Sequence, residues 1–214
     1  MPPPDPADAS ADELVLHLDL TGERPGQDRS GFANHGRLLG GATPVRNEGV
    51  GHVQFDGVGG RVVVRPSDSL SNLTSVLVVA QVNPSTLGQK RTILEGYLAF
   101  AFVVEADGRL AGGVYTGQGW FGVESQPQVV ACGRWSQVGF QYDGASRFSL
   151  TLDGRVVAAR DLPVGPVRGV DWPLGLNLGG WPDADIRMWH GGIRDVKLWR
   201  AGPAWPPARE GPWP

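Results

Sequence analysis

Trp181, Asp183, Asp185 and Arg187 fall within one short stretch of the chain, residues 181–187. Together they hold what sugar recognition needs. An indole can stack against the C–H face of a pyranose, while carboxylates and a guanidinium fix its hydroxyls. The Asp183-x-Asp185 pair also suits loop chelation of a metal that would in turn hold sugar hydroxyls. A second set, Tyr115, Gln118 and Trp120, lies in Tyr115-Thr-Gly-Gln-Gly-Trp-Phe121 and offers similar chemistry. Trp172, in Asp171-Trp-Pro173, shares the Gly/Pro-rich setting. The expected ligand-binding residues are therefore Trp181, Asp183, Asp185, Arg187, Tyr115, Gln118 and Trp120. The alternative for each aromatic is that it lids one mouth of the fold.

Catalytic chemistry has no comparable signature. Glu95, Glu105 and Glu124 are isolated along the chain, and Asp183-Ala-Asp185 has no partner glutamate. No Gly-x-Ser-x-Gly, His-Glu-x-x-His or phosphate-loop pattern occurs. The four histidines, His17, His35, His52 and His190, lack metal-ligand spacing. His17 reads as a satisfied strand histidine, and His35 as the hydrogen-bonding member of an Asn-His-Gly turn. The sequence predicts no enzyme.

Composition narrows the partners. A formal net charge of −3 excludes the basic footprint of a nucleic-acid binder. No stretch approaches the roughly 18 consecutive apolar residues of a membrane span. The first ten residues have neither a basic start nor an apolar run, so no secretory signal is legible there. A single cysteine, Cys132, excludes an internal disulfide and leaves packing, with or without a metal, to hold the fold.

The elements that must carry these residues are strands. Thirty-two glycines and 18 prolines suit many short strands joined by tight turns. Phe148, Leu150 and Leu152 alternate with polar residues, as do Val138, Phe140 and Tyr142, so each run half-buries a strand. Asp-Gly pairs at 107–108, 143–144 and 153–154 separate such runs and mark hairpin tips or tight corners. No helical period exceeds about two turns. The expectation is an all-β domain of roughly 12–14 strands in two antiparallel sheets. It occupies residues 13–200, between a Pro/Ala/Asp-rich extension at 1–12 and a Pro/Trp-rich tail at 201–214. That tail carries Trp205 and Trp213, and either packs back on the domain or serves as a linker or docking segment. Ser75–Val82 and Tyr97–Val104 are apolar on both faces. Their second face is expected beneath loops or the tail, with an oligomer contact through such a strand as the alternative.

Six motifs follow one another in order. They are Asp28-Arg-Ser-Gly-Phe-Ala-Asn-His-Gly36, Phe55-Asp-Gly-Val-Gly-Gly-Arg-Val-Val-Val64, Gly133-Arg-Trp-Ser-Gln-Val-Gly-Phe-Gln-Tyr-Asp-Gly144, Leu152-Asp-Gly154, Leu178-Gly-Gly180 and Gly191-Gly-Ile-Arg-Asp-Val-Lys-Leu-Trp199. In this order they resemble the laminin-G-like, pentraxin-type jelly roll of the concanavalin A-like lectin/glucanase superfamily. The resemblance implies a two-sheet antiparallel jelly-roll sandwich used as a binding module. It also implies that Trp135, Trp189 and Trp199 pack the core. The superfamily's hydrolases carry a Glu-x-Asp-x-(x)-Glu strand, which this chain lacks. Relatives of this kind often hold Ca²⁺, and the resemblance places the metal ligands at Asp195, Asp19 and Asp28, with Asp56 as a weaker candidate. Turn-building by the carboxylate is the competing role for Asp28 and Asp56. Where relatives have an acidic-glycine run after the first strand, this chain has Thr21-Gly-Glu-Arg-Pro25. The implied function is carbohydrate or glycan binding, with calcium as a cofactor. The alternatives are a protein-protein interaction or assembly domain and, last, a degenerate hydrolase.

Overall fold

Period-two patterning and turn residues at short intervals leave the chain little choice but to fold as strands. The computed structural model describes residues 14–46, 51–71, 73–167, 174–181 and 184–200. The two terminal extensions, Trp172, Asp183, Trp205 and Trp213 lie outside the described residues.

Numbered along the chain, the strands form two antiparallel sheets packed face to face. The first sheet runs β14 (Arg155–Asp161), β13 (Arg147–Leu152), β12 (Ser136–Tyr142), β7 (Val76–Pro84), β16 (His190–Trp199), β1 (Leu14–Asp19) and β2 (Gln27–Asp28). Beside the first half of β16 lies β5 (His52–Asp56), which in turn pairs with β4 (Thr43–Val45). The second sheet runs β11 (Trp120–Glu124), β10 (Leu110–Tyr115), β9 (Phe100–Val104), β8 (Arg91–Gly96), β15 (Leu176–Leu178), β6 (Arg61–Val64) and β3 (Gly36–Leu39). The described residues thus hold 16 strands, more than expected. The surplus comes from β2, β4 and β15, pairings of two or three residues too short to leave a periodic signal. The only helix among them is one turn, Asp68–Ser71.

The side chains that enter the core are those the alternation predicted, but the strands are not half-buried: Gly139, Gln141, Ser149 and Thr151 on the other face are buried as well. Val138, Phe140, Tyr142, Phe148 and Leu150 are fully buried, and Leu152 packs at the core's edge. Phe102 stacks on Phe140 across the sheets with centroids 5.9 Å apart, and Tyr142 on Phe148 at 4.4 Å. The Tyr142 hydroxyl donates to the Gly165 carbonyl. Of the three Asp-Gly pairs, 153–154 is the tight one. It joins β13 to β14 with φ of 49° and 78°, which the Asp-Gly dipeptide accepts with little strain.

The two strands that are apolar on both faces differ in what covers them. On the face of β7 away from the core, Leu77 and Val79 sit beside cross-strand Gln141 and Lys197 and are almost fully buried. On β9, Phe100, Phe102 and Val104 enter the core, while Ala101 and Val103 turn to the opposite face of the second sheet. That face is where the sheet is hollowed.

Candidate ligand-binding groove

The hollow is an open groove of about 800 Å³ over β8 to β11. Its floor follows from register. Glu95 pairs with Ala101, Ala101 with Gly113, and Gly113 with Gly122, so these four side-chain positions form one row across the sheet. Three of the four carry a methyl group or nothing, which leaves the row deep. A second row runs from Thr92 through Val103 and Ala111 to Glu124. At one end, Lys90 pairs with Glu105 at 2.7 Å. Trp120, 44% exposed, stands on β11 with its ring 5.7 Å from that of Tyr115. Beyond the β11 edge the groove continues to Ala159 and Arg160 of β14, where Arg160 donates to the Gly122 carbonyl at 3.1 Å.

The opposite wall is the loop between β15 and β16. The Trp181 amide donates to the Ile186 carbonyl at 3.3 Å, and the Thr92 amide to the Arg187 carbonyl at 2.8 Å, which fastens the loop to β8. The Trp181 ring meets Tyr97 edge-on at 6.3 Å, and the Arg187 guanidinium lies 4.6 Å from its centre. Thus Trp181, Arg187 and Trp120, drawn from both clusters seen in the sequence, line one groove. Other members lie apart from its lining. Asp185 is exposed and pairs with Arg61 at 3.2 Å. Gln118 is exposed in the β10–β11 turn, and Tyr115 supports Trp120 from behind. Asp183 is outside the described residues.

Nothing in the sequence singles out Glu95. Its side chain is 1% exposed, although it belongs to the groove face. Oε2 accepts a 3.4 Å hydrogen bond from Thr92 Oγ1. Oε1 has no hydrogen-bond partner, and the nearest cation, Arg187 Nη1, stands 3.9 Å away. Burial pushes the carboxyl up to about 8, outweighing the attraction of Arg187, the Thr92 hydrogen bond and the attraction of Lys90. Glu105 and Glu124 reach the same groove, but each is held by a cation, Lys90 or Arg109. The three glutamates are far apart in sequence, and only the β8–β11 register brings them together.

The acidic residues expected around calcium are placed differently. Asp28 accepts from the amides of His17, Ser30 and Asn34 and from the Ser30 hydroxyl. Its own amide donates to His35 Nδ1 at 3.1 Å. Asp19 accepts from the Thr21 amide and hydroxyl and pairs with Arg29. The terminal strands β1 and β16 do pair, yet Asp195 uses that proximity to meet His17 at 2.8 Å and Lys197 at 3.2 Å. Asp56 accepts from the amides of Val58, Gly59 and Gly60, and these bonds hold its carboxyl below the usual range. Among the described residues, no three His, Cys, Asp or Glu side chains gather as a metal site needs. Calcium takes about six to eight oxygen ligands, whereas each of these carboxylates is engaged by amides, hydroxyls or cations of the chain. Of the tryptophans implied as core, Trp189 is fully buried. Trp135 instead packs outside the first sheet between His52 and Arg194.

The family model described as the concanavalin A-like lectin/glucanases superfamily, Laminin_G_3, matches residues 56–202, more than half of the chain. The chain belongs to this superfamily. No curated protein matches the sequence. Among solved structures, the superfamily fold recurs in the binding domain of Paraclostridial Mosquitocidal Protein 1, with 10% identity and a TM-score of 0.67. That match covers 89% of this chain and 49% of the other. A botulinum neurotoxin type C structure, described by that toxin's dependence upon interaction with two ganglioside molecules, is 11% identical with a TM-score of 0.66. It covers 91% and 49% of the two chains. The binding domain of botulinum neurotoxin DC in complex with rat synaptotagmin II is 12% identical, also with a TM-score of 0.66, over 89% and 48%. The chain spans about half the length of these structures. At such identity the likeness is one of fold.

Proposed function

We propose that this domain is a non-catalytic glycan-binding module whose ligand lies in the β8–β11 groove. The observation that carries this reading is the groove itself. Two indoles from distant parts of the chain, Trp120 and Trp181, stand over a floor of small residues beside one buried carboxyl oxygen, Glu95 Oε1, that has no hydrogen-bond partner among the described residues. Sugars are held by such a combination of ring faces and converging polar groups. Glu105 and Glu124 are each neutralised by a cation, so neither is free to join Glu95 as an acid/base pair. The ganglioside dependence of the type C neurotoxin supports the same reading by analogy of fold alone. We read the binding as independent of calcium, because Asp19, Asp28 and Asp195 are each engaged by neighbouring amides or cations and, among the described residues, no further acidic side chains gather beside them.

A glycan array probed with the wild type, Trp120→Ala and Trp181→Ala tests the proposal. Selective binding that each variant weakens is expected. Failure of the folded wild type to bind any glycan would overturn it. The second reading, a protein-binding domain, draws on the neurotoxin neighbour in complex with rat synaptotagmin II. Co-purification of one polypeptide, with every glycan silent, would favour it.

A further inference from the structure

The groove offers hydrogen-bond donors without an acceptor to receive them. Among the described residues the Arg187 guanidinium makes no hydrogen bond. Its neighbours are the Trp181 ring and, at 3.9 Å, Glu95 Oε1. Glu95 itself divides its two oxygens between different roles. Oε2 accepts from Thr92 Oγ1, so in the neutral acid the proton resides on Oε1, the oxygen with no partner. Asn177 and Ala101, its cross-strand neighbours, bring no charge, and Lys90 is committed to Glu105. A neutral sugar would supply hydroxyls to this corner. A carboxylate or sulfate supplies what the corner lacks, several acceptor lone pairs on a negative group.

We propose that the groove takes an acidic glycan, whose carboxylate or sulfate is received jointly by the Arg187 guanidinium and the Glu95 Oε1–H. This rests on the glycan reading above and narrows it to one ligand class. Oε1 has almost no free surface, so the anion reaches it by displacing the Arg187 side chain, which is 33% exposed. The raised titration of Glu95, to about 8, agrees with the geometry. Below that value the carboxyl donates to the anion. Above it the carboxylate repels the anion and competes for Arg187. Acidic-glycan binding therefore weakens as pH rises through about 8.

The test is an array of uronate-, sialate- and sulfate-bearing glycans, each beside its uncharged parent, followed by titration of the best binder. At about pH 6 the acidic member is expected to bind about tenfold or more tightly than its parent. At about pH 9.5 most of that advantage should be gone. Arg187→Gln should abolish the preference, whereas Glu95→Gln, which keeps an N–H donor, should bind and lose the pH dependence. Equal binding of acidic and neutral members overturns the acidic-ligand proposal and leaves the glycan reading standing. Binding of neither overturns both. Should Glu95→Gln fail to fold, the wild-type pH profile decides, because a preference unchanged at about pH 9.5 contradicts the proposal.

Discussion

Two carboxylates, Asp28 and Glu95, show how one fold treats an acid as structure in one place and leaves it unfinished in another. Asp28 ends the short β2, where the chain turns sharply, and its two oxygens accept four hydrogen bonds from within seven residues on one side and from His17 on the other. Around it, Asn34 donates to the Val15 carbonyl and Ser69 hydroxyl and accepts from Ser67. No buried side-chain oxygen or nitrogen of Asp28, Asn34, Ser67 or Ser69 is left without a partner. Glu95 is just as buried, but it lies on a groove, has one oxygen unanswered and faces a guanidinium too distant for a hydrogen bond. A saturated cluster holds a corner together. An unsaturated one in a concavity invites an outside group, because an unmet buried polar atom costs about 1–3 kcal/mol.

The largest expected effect belongs to the saturated corner. Asp28→Ala strands three amides, and chemical unfolding should report a loss of roughly 3 kcal/mol or more. At temperatures where the variant remains folded, glycan affinity should be unchanged. Glu95→Gln should act in the opposite sense. The wild-type carboxyl is raised in the folded state from 4.5 to about 8, so its contribution to stability is fully present below about pH 4.5 and is lost as pH rises through about 8. The amide does not ionise. Melting curves should show Glu95→Gln gaining on the wild type with rising pH, by on the order of a few kcal/mol at about pH 9. Trp120→Ala, at an exposed position, should leave stability within about 0.5 kcal/mol while weakening glycan binding roughly tenfold. The smallest effect is expected from a chelator. Removing divalent ions should leave the melting temperature unmoved, and a clear drop would restore a metal to the account.

Much of the fold was legible in the sequence because strand parity and turn chemistry are local. Phe148, Leu150 and Phe140 declare their inward face by alternation alone, and Asp153-Gly154 declares its hairpin. The site was legible only in part. Trp181, Arg187 and Trp120 stood out by type and by their Gly/Pro-rich surroundings. Asp185 stood out equally, yet it turns to Arg61. What could not be read was register. Glu95 meets Ala101, Gly113 and Gly122 only because four strands pair in one alignment. No period within a single strand encodes that row. The small residues that deepen the groove are visible in the sequence only as weak strand formers. In the same way, the second apolar face of β9 reads as covered or exposed until its neighbours show it to be a groove floor.

The most direct measurement is calorimetric titration of the best array glycan into the wild type, the Trp120→Ala/Trp181→Ala double variant and Asp28→Ala, each verified as folded. With the ligand in the groove, heat of binding disappears in the double variant and persists with unchanged affinity in Asp28→Ala. Undiminished affinity in the double variant, or its loss in folded Asp28→Ala alone, would contradict that placement.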